Sequence, residues 1–336
     1  GRMKTPFGWA LIGASNVARE WMIDAIRSQP DATLRTVFSR DAKRGQEFAT
    51  AHDIPNSTSD LEDILQAPSV HVVYVSSRNE LHKDQVLAAA RAGKHVLCEK
   101  PLALPLTDAE EMVRVCHESG VILGTNHHLG CSTVHIALRH HLKTNAIGEL
   151  NTVRVFHANF LAKAVEGWRL NDAAGGLILD STIHDIDTLR FLLGADPIDV
   201  FAMTQSGRRS VAGIEDGLMA VMRFPGDVLV QIHGSYAVPY APGGVELYGE
   251  TAALIARDCM SQKPIGSLSL RDGDGEHAIT VKHHNLYRYS VRRFCDSVAG
   301  HGSPAATGGD GVASLKIALA LKESVQSGHQ VKVSQS

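Results

Sequence analysis

Several features that mark specialised classes of protein are scarce in this sequence of 336 residues. Its five cysteines are widely and irregularly spaced and form no CxxC pair, so neither a zinc site nor a disulfide framework is indicated. Their odd number and the lack of a secretory leader favour a reducing compartment, and we expect a cytoplasmic location. No apolar run approaches the length of a membrane span, so we expect no membrane partner.

An excess of charge of one sign is also missing. The chain carries 33 basic and 36 acidic residues, a formal net charge of −3. This balance gives no general electrostatic attraction to a polyanion, and we therefore expect a small-molecule partner and no nucleic acid. Hydrophobic residues make up 44% of the chain and charged residues 21%, which is typical of a folded globular protein. The length of 336 residues corresponds to about two domains.

The order of apolar patterns along the chain predicts two different kinds of domain. Up to residue 125, short strand-like runs alternate with segments of helical period, which indicates a parallel sheet covered by helices on both faces. Between residues 200 and 256, strand-like segments follow one another directly, which is typical of antiparallel pairing. We predict an α/β fold: a doubly wound domain over residues 3–125, then an α+β domain over residues 126–330 built on a large open, mostly antiparallel sheet.

A glycine-containing turn follows the first predicted strand. The segment from Gly13 to Ala18 has the spacing of the dinucleotide fingerprint G-x-G-x-x-A, with Ser15 in place of the second glycine. Gly13 permits a tight turn, and the N-terminus of the following helix offers N–H groups to a pyrophosphate. The pattern favours a nucleotide-binding Rossmann domain, although a simple strand–helix turn that needs one glycine would look the same.

The end of the second predicted strand indicates which dinucleotide is bound. Proteins that prefer NAD usually place an acidic residue here, where it binds the ribose 2′-hydroxyl. This chain has Ser39 and Arg40, with Arg44 one helical turn further, and a hydroxyl with two guanidiniums suits a 2′-phosphate. We therefore expect NADP(H). Two alternatives stay open: the arginines belong to an ordinary surface, or Asp41 is a displaced acid that selects NAD.

Two further segments carry residues suited to catalysis. Lys100 precedes Pro101 at the carboxyl end of a predicted parallel strand, where open α/β sheets bind ligands, but an exposed strand-end lysine is the alternative. In the segment GGLILDSTIHD, Asp180 and His184 are four residues apart and share one face of a helix. A histidine titrates in the range suited to proton transfer, whereas a plain helix cap would explain Asp180 equally well.

A metal site at this segment is the weaker interpretation. Asp180, His184 and Asp187 could supply three ligands, but no further ligand motif lies nearby, and we expect no metal. The chain contains 18 histidines, most of which must be ordinary core or surface residues. We select His184 as a catalytic candidate because of the surrounding segment GGLILDSTIHD, and not because it is a histidine.

Taken together, the N-terminal dinucleotide pattern, EKP near residue 100 and GG-x4-D-x3-H near residue 180 resemble the Gfo/Idh/MocA family of NAD(P)-dependent sugar oxidoreductases. The resemblance covers essentially the whole chain. Members that reduce the C2 ketone of 1,5-anhydro-D-fructose to 1,5-anhydro-D-mannitol with NADPH are similar over several stretches. These stretches are WALIGASNVAREW (9–21), NELH (79–82), GKHVLCEKPLA (93–103), GTNHHL (124–129), GWRL (167–170) and ATGGD (305–309).

The resemblance also implies the functional residues. Lys100, Asp180 and His184 match the family's catalytic group, with His184 or Lys100 as the proton donor, and the Lys100–Pro101 bond is expected to be cis. The residues implied in cofactor binding are Gly13, Ser15, Asn16, Val17, Ser39, Arg40, Arg44, Ser77, Asn79, Leu81, His82, Glu99, Lys100, Asn126, Trp168, Arg169 and Tyr287.

Some segments depart from the family pattern and leave alternatives open. Arg78 stands where many relatives have proline, and residues 130–133 and 236–244 differ from the anhydrofructose-reducing members. Another sugar or polyol dehydrogenase of the inositol type is therefore a second candidate, and a non-catalytic NADP-sensing regulator is a third. An exposed face of the second sheet would favour a homo-oligomer, although domains of this size also exist as monomers.

Overall fold

The computed structural model describes residues 5–162, 167–172 and 174–333. Within these ranges the chain forms two compact units. The first contains the residues up to His127 and the segment Tyr287–Val312, and the second contains His128–Leu286 and the residues from Ala313 onward. Across the described ranges, no helix is long and apolar enough to cross a membrane.

A six-stranded parallel sheet forms the centre of the first unit. Its strands are β1 (Phe7–Ile12), β2 (Ala32–Phe38), β3 (Asn56–Thr58), β4 (Val72–Val75), β5 (His95–Cys98) and β6 (Leu123–Thr125). Their spatial order is β3-β2-β1-β4-β5-β6, and every pairing is parallel. The order reverses between β1 and β4, so the carboxyl ends of these strands form the crevice where doubly wound sheets bind ligands. The predicted doubly wound domain is confirmed.

The helices alternate with these strands in the first unit and are interspersed with longer strands in the second. They are α1 (Ile23–Arg27), α2 (Ala42–Ala51), α3 (Glu62–Leu65), α4 (His82–Arg91), α5 (Leu106–Glu118), α6 (Thr133–Lys143), α7 (Trp168–Asn171), α8 (Ile183–Leu193), α9 (Leu286–Val298) and α10 (Gly308–Ser327). Two of them begin with a π-helical turn: Ala18–Met22 leads into α1, and Ile178–Thr182 leads into α8.

Helix α9 completes the core of the first unit from a distant part of the chain. Its buried residues Val291, Phe294 and Cys295 belong to the same apolar cluster as Trp9 of β1. The rings of Trp9 and Phe294 meet edge to face, with centroids 5.7 Å apart. The predicted domains were continuous, with residues 126–330 forming the second one, whereas this apolar face of α9 draws Tyr287–Val312 into the first unit.

A nine-stranded sheet forms the second unit. Its strands are β7 (Leu150–Ala158), β8 (Asp199–Ser206), β9 (Glu215–Phe224), β10 (Val228–Ser235), β11 (Gly244–Gly249), β12 (Ala253–Arg257), β13 (Ser267–Asp272), β14 (Gly275–Ile279) and β15 (Val331–Lys332). The order is β14-β13-β12-β11-β7-β10-β9-β8-β15, and every pair is antiparallel except β7 with β10. The predicted open, mostly antiparallel sheet is confirmed, and β13, β14 and β15 extend it beyond the strands expected from sequence.

One face of this sheet supports the segment that carries Asp180 and His184. Side chains along β9 alternate between buried and exposed, as in a sheet covered on one face only. On β10, a side chain at Gly234 would lie 3.3 Å from Leu177 and 3.7 Å from Thr182. The π-helical turn therefore packs directly on the backbone of β10.

Candidate active site

The turn after β1 is shaped by the close approach of the end of β4. Gly13 has a φ of +121°, and a Cβ there would lie only 2.9 Å from the Ser77 nitrogen. Ser15 Oγ accepts a hydrogen bond from the Ala18 nitrogen at 3.1 Å and lies 2.7 Å from Ser76 Oγ. Ser15 thus caps the following helix and ties the turn to β4. Asn16 is exposed at the N-terminal end of this helix, where the helix dipole favours an anion.

The segment after β2 carries the residues predicted to select the dinucleotide. The Asp41 carboxylate accepts a hydrogen bond from the Arg44 nitrogen at 3.1 Å and is the N-cap of α2. The Arg44 guanidinium donates to the Ala14 carbonyl at 2.8 Å, which places it beside the glycine turn. Ser39 is nearly buried and Arg40 is exposed. The Asp41 carboxylate therefore caps α2, and the Arg44 side chain lies beside the glycine turn.

The His82 ring contacts the backbone of the segment that carries Lys100. Its ring is fully buried, Nε2 lies 2.9 Å from the Ser77 carbonyl, and Nδ1 lies 3.0 Å from the Pro101 carbonyl. Burial lowers the pKa of His82. His82 was predicted to line the dinucleotide, but its nitrogens face protein carbonyls, so it links the ends of β4 and β5. The Lys100–Pro101 bond is cis, as predicted.

Glu99 lies in a polar cluster at the carboxyl ends of β4, β5 and β6. Its Oε2 accepts a hydrogen bond from Asn126 Nδ2 at 2.9 Å, and Asn126 Oδ1 accepts one from Ser290 Oγ of α9 at 3.1 Å. Asn126 is fully buried, and Tyr74 of β4 directs its buried hydroxyl toward the same cluster. Desolvation raises the pKa of Glu99 to about 7, although Asn126, Lys100 and Tyr74 each act in the opposite direction.

Three further predicted residues of the first unit are Tyr287, Asn79 and Leu81. The Tyr287 ring is buried and stacks on Trp21 of the first π-helical turn, with centroids 5.3 Å apart. Asn79 and Leu81 form a short 3₁₀ turn after β4, and the Ser77 hydroxyl donates to Gln85 of α4. The first unit thus brings together the predicted residues for the pyrophosphate, the adenosine phosphate and the nicotinamide side, together with Lys100.

In the second unit, Asp180 is held by a cation and a phenol. It lies inside the π-helical turn Ile178–Thr182, so its interpretation as a helix cap is wrong. Its Oδ2 accepts hydrogen bonds from Arg169 Nε at 3.0 Å and from the hydroxyl of Tyr236, just after β10. Burial raises the pKa of Tyr236, and the neighbouring Asp180 charge raises it further. Tyr236 has no sequence motif of its own, since only folding brings it to Asp180.

The double glycine before this turn allows α7 to approach it. A Cβ at Gly175 would lie 2.2 Å from the Trp168 carbonyl, and a Cβ at Gly176, where φ is +90°, would lie 2.5 Å from a Glu215 carboxylate oxygen. The resulting contact places Arg169 on Asp180. The Arg169 guanidinium also lies 4.9 Å from the centre of the Trp168 ring, which is 42% exposed. The two predicted residues of α7 therefore form one cluster with Asp180.

His184 occupies the first turn of α8, where it is 9% exposed. Its ring lies edge to face against His128, with centroids 4.5 Å apart. The next residue, Asp185, is buried and paired with His157 of β7 at 2.6 Å, which anchors this turn to the sheet. Sequence reasoning missed the His157 pair because β7 and α8 are separated along the chain. Within the described ranges, no group of three or more potential ligands could hold a metal ion.

Two family models match the chain, one for each part of the fold. A model of an oxidoreductase family with an NAD-binding Rossmann fold matches residues 7–127, and a GFO/IDH/MocA C-terminal domain model matches residues 135–255. Both segments therefore match parts of one family, in the expected order.

Individual relatives match over nearly their full length. A 1,5-anhydro-D-fructose reductase from Ensifer adhaerens is 44% identical over 327 residues, 97% of this chain and 98% of that protein. A myo-inositol 2-dehydrogenase from Thermotoga maritima is 26% identical over 336 residues, 97% of each chain. The crystal structure of an aldose-aldose oxidoreductase from Caulobacter crescentus, complexed with glycerol, has the same fold, with a TM-score of 0.89 at 23% identity over 97% of this chain and 99% of that one. The chain belongs to the Gfo/Idh/MocA family of NAD(P)-dependent oxidoreductases.

Proposed function

We propose that the protein reduces 1,5-anhydro-D-fructose to 1,5-anhydro-D-mannitol with NADPH. The observation that carries this proposal is the 44% identity to the Ensifer adhaerens reductase over 97% of the chain. The geometry supports it, since Asp180 and His184 lie four residues apart on consecutive helical turns and Lys100 follows the end of a parallel strand.

We propose NADP(H) as the preferred cofactor. Ser39, Arg40 and Arg44 would hold the 2′-phosphate, because Arg44 lies beside the glycine turn and Asp41 is occupied as the cap of α2. The close approach at Gly13 leaves the turn without a side chain and suits a pyrophosphate. The remaining cofactor contacts are those implied by the family resemblance: Ser15, Asn16, Val17, Ser77, Asn79, Leu81, Glu99, Lys100, Asn126, Trp168, Arg169 and Tyr287.

The residues of the first unit would hold NADPH, which would supply the hydride for reduction of the ring ketone. His184 donates the proton to the developing alkoxide, because an imidazole changes its charge near neutral pH. The Lys100 ammonium stabilises the same negative charge and orients the substrate. Asp180, whose Oδ2 is held by Arg169 and Tyr236, accepts a hydrogen bond from a sugar hydroxyl.

The substrate is tested by NADPH consumption with a panel of ketoses, with NADH as the control cofactor. Turnover of 1,5-anhydro-D-fructose, with 1,5-anhydro-D-mannitol as product, supports the proposal. Slow or absent turnover of 1,5-anhydro-D-fructose, together with rapid turnover of another sugar, would contradict the proposed substrate. The panel includes myo-inositol with NADP⁺, because the Thermotoga maritima relative makes inositol oxidation the second candidate.

The proton donor is tested by substitution of His184 with alanine. Loss of a general acid costs on the order of 10²- to 10⁴-fold in kcat, while NADPH binding should be unchanged. If kcat is unchanged in His184→Ala, we assign the role of proton donor to Lys100. The pH–rate profile of Lys100→Met should then lose its alkaline limb. His140→Ala, at an exposed position on α6, is the matched control.

We also propose a homo-oligomer formed through the uncovered face of the second sheet, in a reducing compartment such as the cytoplasm. Large apolar side chains on β8 and β9 are exposed in alternation, and such patches mark association surfaces. All five cysteines are buried and unpaired, as expected in a reducing compartment. Light scattering of wild type and Met203→Glu tests the oligomer, since the charge should yield monomers, and an unchanged mass would contradict this surface.

A further inference from the structure

The polar cluster formed by Tyr74, Glu99, Asn126 and Ser290 goes beyond what cofactor binding alone requires. Tyr74 lies in β4, Glu99 and Asn126 directly follow β5 and β6, and Ser290 lies in α9. The hydrogen bonds from Ser290 to Asn126 and from Asn126 to Glu99 leave a single orientation for the Asn126 amide, because its oxygen accepts and its nitrogen donates. The carboxyl group of Glu99 is thereby fixed at the edge of the sheet, one residue before Lys100.

Tyr74 is an unusual neighbour for this carboxyl group. Its side chain is fully buried in a strand that is otherwise apolar, and its hydroxyl makes no well-directed hydrogen bond to any described residue. It nevertheless lies close enough to Glu99 to lower the pKa of that carboxyl group. A buried hydroxyl without an aligned partner is costly, so its position next to a titrating group calls for a role.

The charge of Glu99 is coupled to that of Lys100. The Lys100 ammonium lowers the pKa of Glu99, and desolvation raises it more strongly. By reciprocity, the ionised Glu99 carboxylate favours the ammonium form of Lys100 to the same extent. The other titratable groups that face Glu99 are Tyr74 and, through Tyr74, Tyr287, while Cys98 precedes it in the strand. Among the groups that shift the pKa of Glu99, Lys100 is the one that carries a positive charge.

We propose that Glu99 is a positioning residue that keeps Lys100 in its ammonium form by ionising, and that Tyr74 positions Glu99 and favours that ionisation. This inference rests on the proposed reduction for its catalytic consequence, since a cationic Lys100 stabilises the alkoxide. The electrostatic coupling itself needs neither substrate nor cofactor, so the two ideas can fail separately.

The first test measures the reactivity of Lys100 in the protein without cofactor. Trace acylation with acetic anhydride between pH 7 and 11, read by peptide mass spectrometry, reports the fraction of free amine. In Glu99→Gln, Lys100 should react about threefold faster at pH 8, because the amine form becomes easier to populate. Glu99→Asp should restore most of the protection, and Glu47→Gln, at an exposed site on α2, should have no effect. Equal reactivity in wild type and Glu99→Gln would overturn the proposal.

The second test follows kcat/KM against pH with NADPH and 1,5-anhydro-D-fructose. A limb near neutral pH should be present in wild type, disappear in Glu99→Gln and move to higher pH in Tyr74→Phe. Tyr240→Phe, at a position that is 94% exposed, is the matched control. A Tyr74→Phe profile that overlays wild type would remove Tyr74 from the mechanism. If anhydrofructose is not turned over at all, the proposed function fails, but the acylation test still decides the coupling between Glu99 and Lys100.

Discussion

The desolvated carboxyl group of Glu99 predicts a measurable dependence of stability on pH. In the folded protein, burial raises the pKa of this carboxyl group from 4.5 to about 7. Between these two values the folded state retains a proton that the unfolded state has released, so stability falls as the pH rises. The contribution of Glu99 is complete below pH 4.5 and is lost by about pH 7, and the difference corresponds to about 3 kcal/mol.

The Glu99→Gln variant isolates this effect. A glutamine keeps the oxygen that accepts from Asn126 but does not titrate, so the variant should gain stability relative to wild type as the pH rises from about 5 to about 8. Urea unfolding midpoints of both proteins, measured at several pH values and followed by tryptophan fluorescence, give this difference directly. Two of the three tryptophans, Trp9 and Trp21, lie in or against the core of the unit that contains Glu99, so the signal is weighted toward this unit.

Two outcomes would refute the reasoning. If the stabilities of wild type and Glu99→Gln remain parallel from pH 5 to pH 8, the carboxyl group is not perturbed by burial. If wild type becomes more stable than the variant as the pH rises, the ionised form is favoured in the folded state, and the sign of the argument is wrong. Glu47→Gln, whose side chain is exposed, should follow wild type at every pH.

Three further substitutions test other parts of the site. Gly13→Ala should weaken NADPH binding and destabilise the protein by about 1–3 kcal/mol, because φ is +121° and the space is filled; Gly93→Ala, which has a positive φ but no neighbour within 4 Å, should leave NADPH binding unchanged. Tyr236→Phe removes a donor from Asp180 and should raise KM for the sugar about fivefold with little change in NADPH affinity; an unchanged KM would exclude Tyr236 from the sugar site. Arg44→Ala should weaken NADPH binding at least about tenfold and spare NADH, as measured by fluorescence titration, whereas equal losses for both cofactors would contradict a 2′-phosphate contact.

The sequence predicts the strands and the glycine turn of the first unit well because these signals are local, whereas the return of α9 to this unit is not predicted. A parallel strand, a glycine turn and a helix follow one another within about 30 residues, so apolar period and turn chemistry are enough to read them. Ser15 was correctly placed in the turn, but its contact with Ser76 depends on how β4 approaches β1. The charge pattern after β2 predicts NADP(H), and only the structure assigns Asp41 to the cap of α2.

The side-chain contacts that the sequence does not predict join distant parts of the chain. Tyr236 reaches Asp180 across 56 residues, and His157 reaches Asp185 across 28, so no short spacing predicts either contact. The π-helical turn at Asp180 was interpreted as a helix start because an acidic residue before a helical pattern is typical of an N-cap. Strand β14 was missed because its side chains are mostly exposed and lack an apolar pattern.

The return of α9 to the first unit has a consequence for biosynthesis. A ribosome that has released only the first 127 residues has produced every strand of the parallel sheet but not the helix that covers Trp9. Until Phe294 emerges, the nascent nucleotide-binding sheet exposes part of its apolar core, even though the entire second sheet except β15 is already synthesised. The usual vectorial order, in which the N-terminal domain is complete before the next domain is synthesised, therefore does not hold here. A gene truncated after residue 127 should yield an aggregating fragment and not a miniature dinucleotide-binding protein.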